Sequence, residues 1–566
     1  MKVVIVGGVA GGASAAARIR RLDETAEIIV FERTGYVSYA NCGLPYYIGG
    51  IITQPSALTL QTPQSFWARF RINIKVHHEV TAIDPVSKTV TVHDLDTDNI
   101  FIESYDKLIL SPGAKAIIPS IPGTDLDKIF SLRTVEDTFR IHQYVQEKKP
   151  QSVVIVGGGF IGIEMAENLR SLGLQVTLIQ RSKQLLDPID PDMASFIHSE
   201  MRAHGVRLEL GSQVTGFYSD GDAIVTQIKA QSAIKSDFVL LAAGIMPEST
   251  LAKNAGLKLG VRDSIVVNDR METSVPDIYA VGDAIEVRHV VTDQKTMISL
   301  AGPANKQGRI AADNICGGDS HFKGSLGSSV LKVFGKTVAV TGISEKVAQK
   351  AGIHYEKVIL ASVSHATYYP GFKSLTLKVI YEKGSARLLG AQIVGQDGTD
   401  KRIDVLATAI YAGLTGVQLA ELDLAYAPPY SSAKDPVNMA GFMIENLETG
   451  KVKQIHVDAI KTLPRDGCVS LIDVRTEAEY HAGSIDGFVN IPLDQLRERI
   501  HEVDPNKPVY LLCRTALRSY IACRILVQNG YECYNISGGY EFYRVSILEE
   551  QAANLAPCGI EKHSIK

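Results

Sequence analysis

The chain has little cysteine, little net charge and no long apolar run. Its seven cysteines in 566 residues (42, 316, 468, 513, 523, 533 and 558) are odd in number and scattered, which argues against a disulfide framework and for free thiols in a reducing compartment. A formal net charge of -4 offers no basic surface for nucleic acid. No apolar stretch approaches the ~18–20 residues of a membrane span, so no membrane partner is expected. Met1-Lys2-Val3-Val4-Ile5-Val6 runs directly into a glycine loop, which reads as a buried strand and not as a signal peptide; the expected location is the cytoplasm. One absence is local. Cys42 lies in Ser38-Tyr39-Ala40-Asn41-Cys42-Gly43-Leu44-Pro45-Tyr46, position 47 is Tyr, and the next cysteine is Cys316. Cys42 must therefore exchange with a sulfur from outside its own neighbourhood.

What is present begins with two phosphate cradles. A chain of this length holds several domains, because single cores stop growing near roughly 250–300 residues. The strand Val3–Val6 is followed by Gly7, Gly8, Val9, Ala10, Gly11 and Gly12 and then an Ala-rich helix. Such a turn lets the backbone approach a pyrophosphate, while the helix N-terminus supplies free N–H groups. Val9 occupies the middle glycine position of the fingerprint. Glu32, at the end of the next strand and followed by Arg33, is placed to accept hydrogen bonds from a ribose. A second copy at Val153–Val156 with Gly157, Gly159 and Gly162 matches the full pattern. Two cradles predict two dinucleotides. The strand after the second ends in Gln180-Arg181, where an acidic residue would mark a free 2′-hydroxyl. Arg181 faces a 2′-phosphate or is a solvated strand-end charge; NADH is favoured, with NADPH left open.

Thr273–Ala284, which contains Asp283, resembles the segment of two-dinucleotide flavoproteins whose aspartate contacts the FAD ribityl chain. Leu110-Ser111-Pro112-Gly113 and Leu241-Ala242-Ala243-Gly244 resemble their two linker strands. On these motifs residues 1–450 resemble the pyridine nucleotide-disulfide oxidoreductases, and the single cysteine in Asn41-Cys42-Gly43-Leu44-Pro45-Tyr46 is similar to the coenzyme A-disulfide reductase branch. The resemblance implies bound FAD and NAD(P)H, and a resting mixed disulfide between Cys42 and coenzyme A. It also implies a thiolate of lowered pKa beside oxidised flavin, and a homodimer. It places Ser14, Arg18, Arg21, Ser38 and Asn41 along coenzyme A, with Lys434 from the other subunit. Arg20, Arg69 and Arg71 add cationic residues suited to a 3′-phospho-ADP group, although an ordinary solvated helix face is the alternative reading. Tyr368 and Tyr426 stand where related reductases bring a tyrosine pair from the partner subunit to the cysteine; a phenol can protonate a leaving thiolate.

The pattern restarts after Gly450. Cys468–Ile485, with its Asp473-Val474-Arg475, and a strand that delivers Cys513-Arg514-Thr515-Ala516-Leu517-Arg518-Ser519 before a helix resemble a rhodanese domain. There the cysteine carries sulfane sulfur as a persulfide, with Arg514, Arg518 and Ser519 completing the loop. Helix dipole and loop N–H groups favour an anion at such a position. Ala516 stands where glycine is common. Cys468, Cys523 and Cys533 lie in apolar settings and are expected in the core.

The expected fold class is α/β. It comprises a Rossmann-like FAD domain (1–115 and 248–325), a similar NAD(P)H domain (116–247), an α+β dimerisation domain (326–450) and a C-terminal α/β rhodanese domain (451–566). No metal site is expected. The expected activity is FAD-dependent NAD(P)H reduction of persulfide or polysulfide, including coenzyme A persulfide, with release of hydrogen sulfide, Cys42 and Cys513 being the reacting residues. The alternatives are a coenzyme A-disulfide reductase that maintains a thiol pool, and a flavin-based redox sensor or sulfur-relay protein.

Overall fold

The computed structural model describes residues 1–554; Cys558 and the end of the expected last domain lie outside the described residues. The chain forms two compact units, one of Met1–Ser182 with His204–Gly327, the other of Lys183–Ala203 with the chain from Ser328 onward.

The first unit is built on two parallel five-stranded sheets. In one, the strands run Ile278–Ala280, Lys107–Leu110, Lys2–Val6, Glu27–Phe31, Asn73–Lys75. In the other they run Arg207–Leu210, Gln175–Gln180, Ser152–Val156, Phe238–Leu241, Ile129–Ser131. Val3, Val4 and Ile5 are completely buried, as continuous apolar runs in doubly covered parallel strands must be. Each central strand ends in its glycine turn and a helix, Ala10–Leu22 or Phe160–Ser171. The expected pair of Rossmann-like domains is present. Small antiparallel sheets, His78–Asp84 to Ser104 and Val214–Asp220 to Ser236, are set between the main strands.

The second unit carries an antiparallel sheet in the order Ser329–Val333, Lys336–Gly342, Leu388–Gly395, Ser374–Glu382, Tyr355–Val363. A parallel sheet follows in the order Lys453–His456, Cys533–Ser537, Val509–Leu512, Ser470–Asp473, Val489–Asn490. The helix Pro191–Ala203, inside the span expected for the NAD(P)H domain, packs within this unit. Lys378 draws it in: its completely buried ammonium lies 2.9 Å from Asp190 and 2.8 Å from Asp192, and also pairs with Glu345. Three carboxylates around one buried ammonium raise the lysine pKa despite the desolvation that opposes it. Among the described residues no helix is long and apolar enough to cross a membrane.

Candidate active site

The first cradle is closed around backbone. A Cβ on Gly7 would stand 2.1 Å from the Ser111 carbonyl oxygen, and one on Gly12 1.9 Å from that of Gly7; only glycine fits either position. Val9 stands at the N-cap of Ala10–Leu22, and the first turn carries no acidic residue. An apolar cap leaves the first-turn N–H groups free for an anion. Glu32 is 6% exposed, and its carboxylate accepts from Gly8 N at 2.9 Å and from Thr34 N and Oγ1 at 3.0 and 2.9 Å. It holds the glycine loop as well as lying at the strand end. Arg33 is half exposed and lies 3.8 Å from Glu79. Asp283 pairs with Arg133 at 3.1 Å, and Arg133 also donates to Ala114 O at 2.8 Å, beside Gly113. These residues fit a pyrophosphate with a ribityl chain beyond it. Arg133 is the member that sequence reading missed, because nothing around it repeats a motif.

The second cradle repeats the device. A Cβ on Gly162 would stand 1.9 Å from Gly157 O, whereas Gly159 faces open space. Gln180 Oε1 accepts from Gly158 N at 3.1 Å, and its Nε2 donates to Ser182 Oγ at 2.7 Å. Gln180 thus takes the place that Glu32 takes in the first cradle, without the charge. Arg181 is exposed.

Cys42 sits in the single turn Asn41–Gly43, before the short helix Leu44–Ile48. It is exposed by surface, yet enough protein surrounds the sulfur for desolvation to push the thiol up; Glu164 and Asp283 push the same way and Arg133 opposes them. The net effect of the chain's own groups therefore works against the thiolate, and the lowering expected from the sequence does not come from these residues. Glu164, on the second cradle's helix, accepts a hydrogen bond from Tyr46 at 3.4 Å. Burial first, and Glu167 next, raise its carboxyl to about 7 against that bond. This pair, too, was not read from the sequence.

A pocket of about 360 Å³ lies in the same unit, lined among others by Ser14, Arg18, Arg21, Ser38, Arg69 and Arg309. Four guanidinium groups at one opening suit a polyphosphate. Arg18 is braced by Asp313 at 2.6 Å, and Ser14 Oγ by Asn305 at 2.5 Å. Of the residues expected along coenzyme A, Asn41 and Arg71 fall outside this lining; Arg71 caps the helix Pro63–Phe70 and lies over the Trp67 ring at 5.5 Å. Arg20 is a correction. It is 7% exposed and donates to the carbonyls of Phe70, Asp23, Glu24, Ala26 and Arg71, so it ties loops together and offers no charge to a ligand.

In the second unit the Tyr368 and Tyr426 hydroxyls are hydrogen-bonded at 2.5 Å, and both rings are exposed. A buried pair fixes their segments: Arg402, itself completely buried, lies 3.0 Å from Asp435 and donates to the carbonyls of Ser364 and Gly398 at 2.8 and 2.9 Å. Lys434, beside Asp435, is exposed.

The strand Val509–Leu512 delivers Cys513, and the helix Leu517–Gln528 starts from Ala516, whose φ of 68° is left-handed. Ala516 thus adopts the glycine-like conformation at a cost of about 1 kcal/mol. Cys513 and Ser519 are completely buried, with Ser519 Oγ 3.3 Å from Cys513 Sγ. Arg518 makes a two-pronged pair with Glu479 at 2.7 and 2.8 Å, which holds that carboxyl down at about 2. Arg514 pairs with Glu541 at 2.7 Å. Asp473 and Arg475, read as a signature, form a buried pair 2.6 Å apart. Cys523 and Cys533 are buried as expected; Cys468 is exposed, in the turn before Ser470–Asp473 where its N–H is held by Asp466 at 3.0 Å. An apolar sequence neighbourhood misplaced it, because turn geometry sets its direction.

Two nucleotide cradles, a lone cysteine beside one of them and an antiparallel domain define a nicotinamide-dependent disulfide oxidoreductase, and the chain belongs to the pyridine nucleotide-disulphide oxidoreductase family. That family's pattern matches residues 1–308, its dimerisation domain 329–436 and a rhodanese-like domain 456–544. The crystal structure of reduced CoADR-RHD from Bacillus anthracis superposes with a TM-score of 0.95 at 49% identity, covering 97% of this chain and 98% of that one. An NAD-dependent persulfide reductase from A. fulgidus superposes with a TM-score of 0.91 at 37% identity, covering 96% and 100%. The coenzyme A disulfide reductase of Staphylococcus haemolyticus is 39% identical over 449 residues, which span 79% of this chain and 100% of that protein.

Proposed function

We propose that the protein is an FAD-dependent NAD(P)H reductase of persulfides and polysulfides, coenzyme A persulfide among them, acting as a homodimer in the cytoplasm. The observation that carries this reading is the joining of two sulfur sites in one chain: Cys42, with no second cysteine before Cys316 in the sequence, and the Cys513 loop. Likeness over nearly the whole length to a persulfide reductase supports it.

The Gly7–Gly12 turn, Glu32 and the Asp283–Arg133 pair would hold the flavin, which when bound would supply the path from nicotinamide electrons to sulfur. Gly157–Gly162 and Gln180 would hold the nicotinamide dinucleotide. Arg18, Arg21, Arg69 and Arg309 take the phosphates of coenzyme A. As thiolate, Cys42 attacks the inner sulfur of R–S–SH; the new Cys42–S–S–R bond forms, and HS⁻ leaves with the electrons of the broken S–S bond. Two electrons from NAD(P)H then restore the Cys42 thiolate and free RSH. Tyr368 and Tyr426, contributed by the partner subunit together with Lys434, hold the proton for the leaving sulfur. Cys513 captures sulfane sulfur and presents it to this site.

Anaerobic NADH and NADPH consumption with coenzyme A persulfide, polysulfide and coenzyme A disulfide tests the reading in intact protein, Cys42→Ser and Cys513→Ser. Fast persulfide turnover that needs Cys42, with a further loss at Cys513, is expected. The second reading, a coenzyme A-disulfide reductase, is favoured by the Staphylococcus relative; fast disulfide turnover indifferent to Cys513 would establish it instead.

A further inference from the structure

Both cations of the Cys513 loop already have a carboxylate. Arg518 donates to Glu479 through two N–H groups, at 2.7 and 2.8 Å, and keeps that carboxyl ionised, down at about 2. Glu479 is also fixed from its own side: Oε2 accepts from Thr476 N and Oγ1 at 3.0 Å each, in the capping box of the short helix Glu477–His481. Arg514 donates to Glu541 at 2.7 Å. Glu541 lies in the first turn of the helix Gly539–Asn554, which is sewn to the loop through backbone: Tyr540 N donates to Cys513 O at 2.8 Å and Glu541 N to Arg514 O at 3.1 Å. The approach is so close that a Cβ on Gly539 would stand 2.6 Å from Cys513 O. The elements that shape the loop thus also set a counter-charge beside each of its arginines.

Loop N–H groups and the N-terminus of Leu517–Gln528 favour one anion, the sulfur on Cys513 itself. A second anion, carried by the donor, needs side-chain cations, and here the two guanidinium groups and two carboxylates sum to no charge. Opening either pair leaves the carboxylate at the loop, where it repels an incoming anion. Cys513 is completely buried, so a charge bonded directly to the arriving sulfur must leave water with it. Leu517, inside the loop, and Ile521, one turn further along the helix, are exposed apolar residues. We propose that Glu479 and Glu541 set the donor specificity of the Cys513 loop: by neutralising Arg518 and Arg514 they admit sulfane sulfur from an alkyl persulfide and reject thiosulfate, whose outer sulfur is bonded to a sulfonate. In the admitted step the Cys513 thiolate attacks the outer sulfur of R–S–SH. The new S–S bond to Cys513 forms, the old S–S bond breaks, and RS⁻ leaves with its electron pair, so that Cys513 carries S–SH. The same step from thiosulfate would release sulfite.

This specificity rests on Cys513 as the sulfur carrier, and one experiment separates the two. Full-length protein is given 2-hydroxyethyl persulfide or thiosulfate, without nicotinamide, and the gain of a sulfur atom on the Cys513 peptide is followed in time by mass spectrometry. Loading from the persulfide is expected to be faster by about tenfold or more at equal concentration. Glu541→Gln and Glu479→Gln each free one arginine. Each should raise the thiosulfate rate by about tenfold, toward the low end of what a hydrogen bond to a charged group supplies, and leave the persulfide rate within about twofold. Glu541→Asp keeps the charge at an exposed position and should leave both rates as in the parent. Thiosulfate loading as fast as persulfide loading overturns the proposal while Cys513 stands as carrier. So do glutamine variants that raise both rates alike or neither, and an aspartate variant that behaves as the glutamine one does. Loading from neither donor removes Cys513 as the carrier, and the specificity with it.

Discussion

Tyr368 and Tyr426, 58 positions apart in sequence, share a hydrogen bond of 2.5 Å between their hydroxyls while both rings face solvent. One phenol must donate and the other accept, so a single proton is free to pass outward from the pair. The bond to Tyr368 raises the Tyr426 pKa, which keeps that proton in place at neutral pH. Tyr426→Phe and Tyr368→Phe are each expected to lower kcat for persulfide about tenfold to a hundredfold, toward the low end of general-acid effects, with the Cys42 alkylation rate unchanged. Unaltered steady-state turnover in both variants would remove the tyrosines from the reaction.

Glu164 sets a pH dependence at the Cys42 site. Its carboxyl is raised to about 7, so as pH rises through that value a negative charge develops beside Cys42 and pushes the thiol further up. The sign for Glu164→Gln follows: the charge is gone, the pH midpoint of Cys42 alkylation falls, and the inflection near 7 disappears. Glu164→Asp should keep an inflection. A midpoint unmoved in the glutamine variant would show that burial alone governs Cys42.

Nicotinamide choice is expected to turn on Gln180 and Arg181. A neutral Gln180 holds Gly158 N and leaves Arg181 exposed at the strand end. Gln180→Glu places a carboxylate where a 2′-phosphate would sit and should raise the NADH-to-NADPH ratio of kcat/KM by about tenfold or more. Arg181→Ala should lower NADPH use only. Equal loss with both nucleotides, measured in steady state, would show that the residues position the turn and do not read the phosphate.

The Arg402–Asp435 pair is a stability prediction. Asp435→Ala leaves a completely buried guanidinium without its carboxylate, a loss of about 3–5 kcal/mol in systems of this kind. Thermal unfolding followed by circular dichroism should show Tm lowered by several degrees, with the Ser364–Tyr369 and Tyr426–Asp435 segments more open to proteolysis. An unchanged Tm would mean that water replaces the pair.

The glycine turns, the Cys42 and Cys513 loops and the alternating strands of the antiparallel sheet were legible in the sequence because each is a local device: backbone conformation and period are written in consecutive residues. The order of domains followed from those same signals. What only the tertiary structure decided concerns charge and direction. Arg20 was read as a ligand-facing cation and is a buried tie between carbonyls, while Arg133 and Arg309, unmarked by any motif, reach the Cys42 side and the basic pocket. Cys468 turns outward from an apolar stretch, and Ser519 meets both Cys513 and, from another strand, Asn535. A charge or a hydroxyl proton takes its role from the partner that meets it after folding, and that partner is set by contacts among residues distant in sequence.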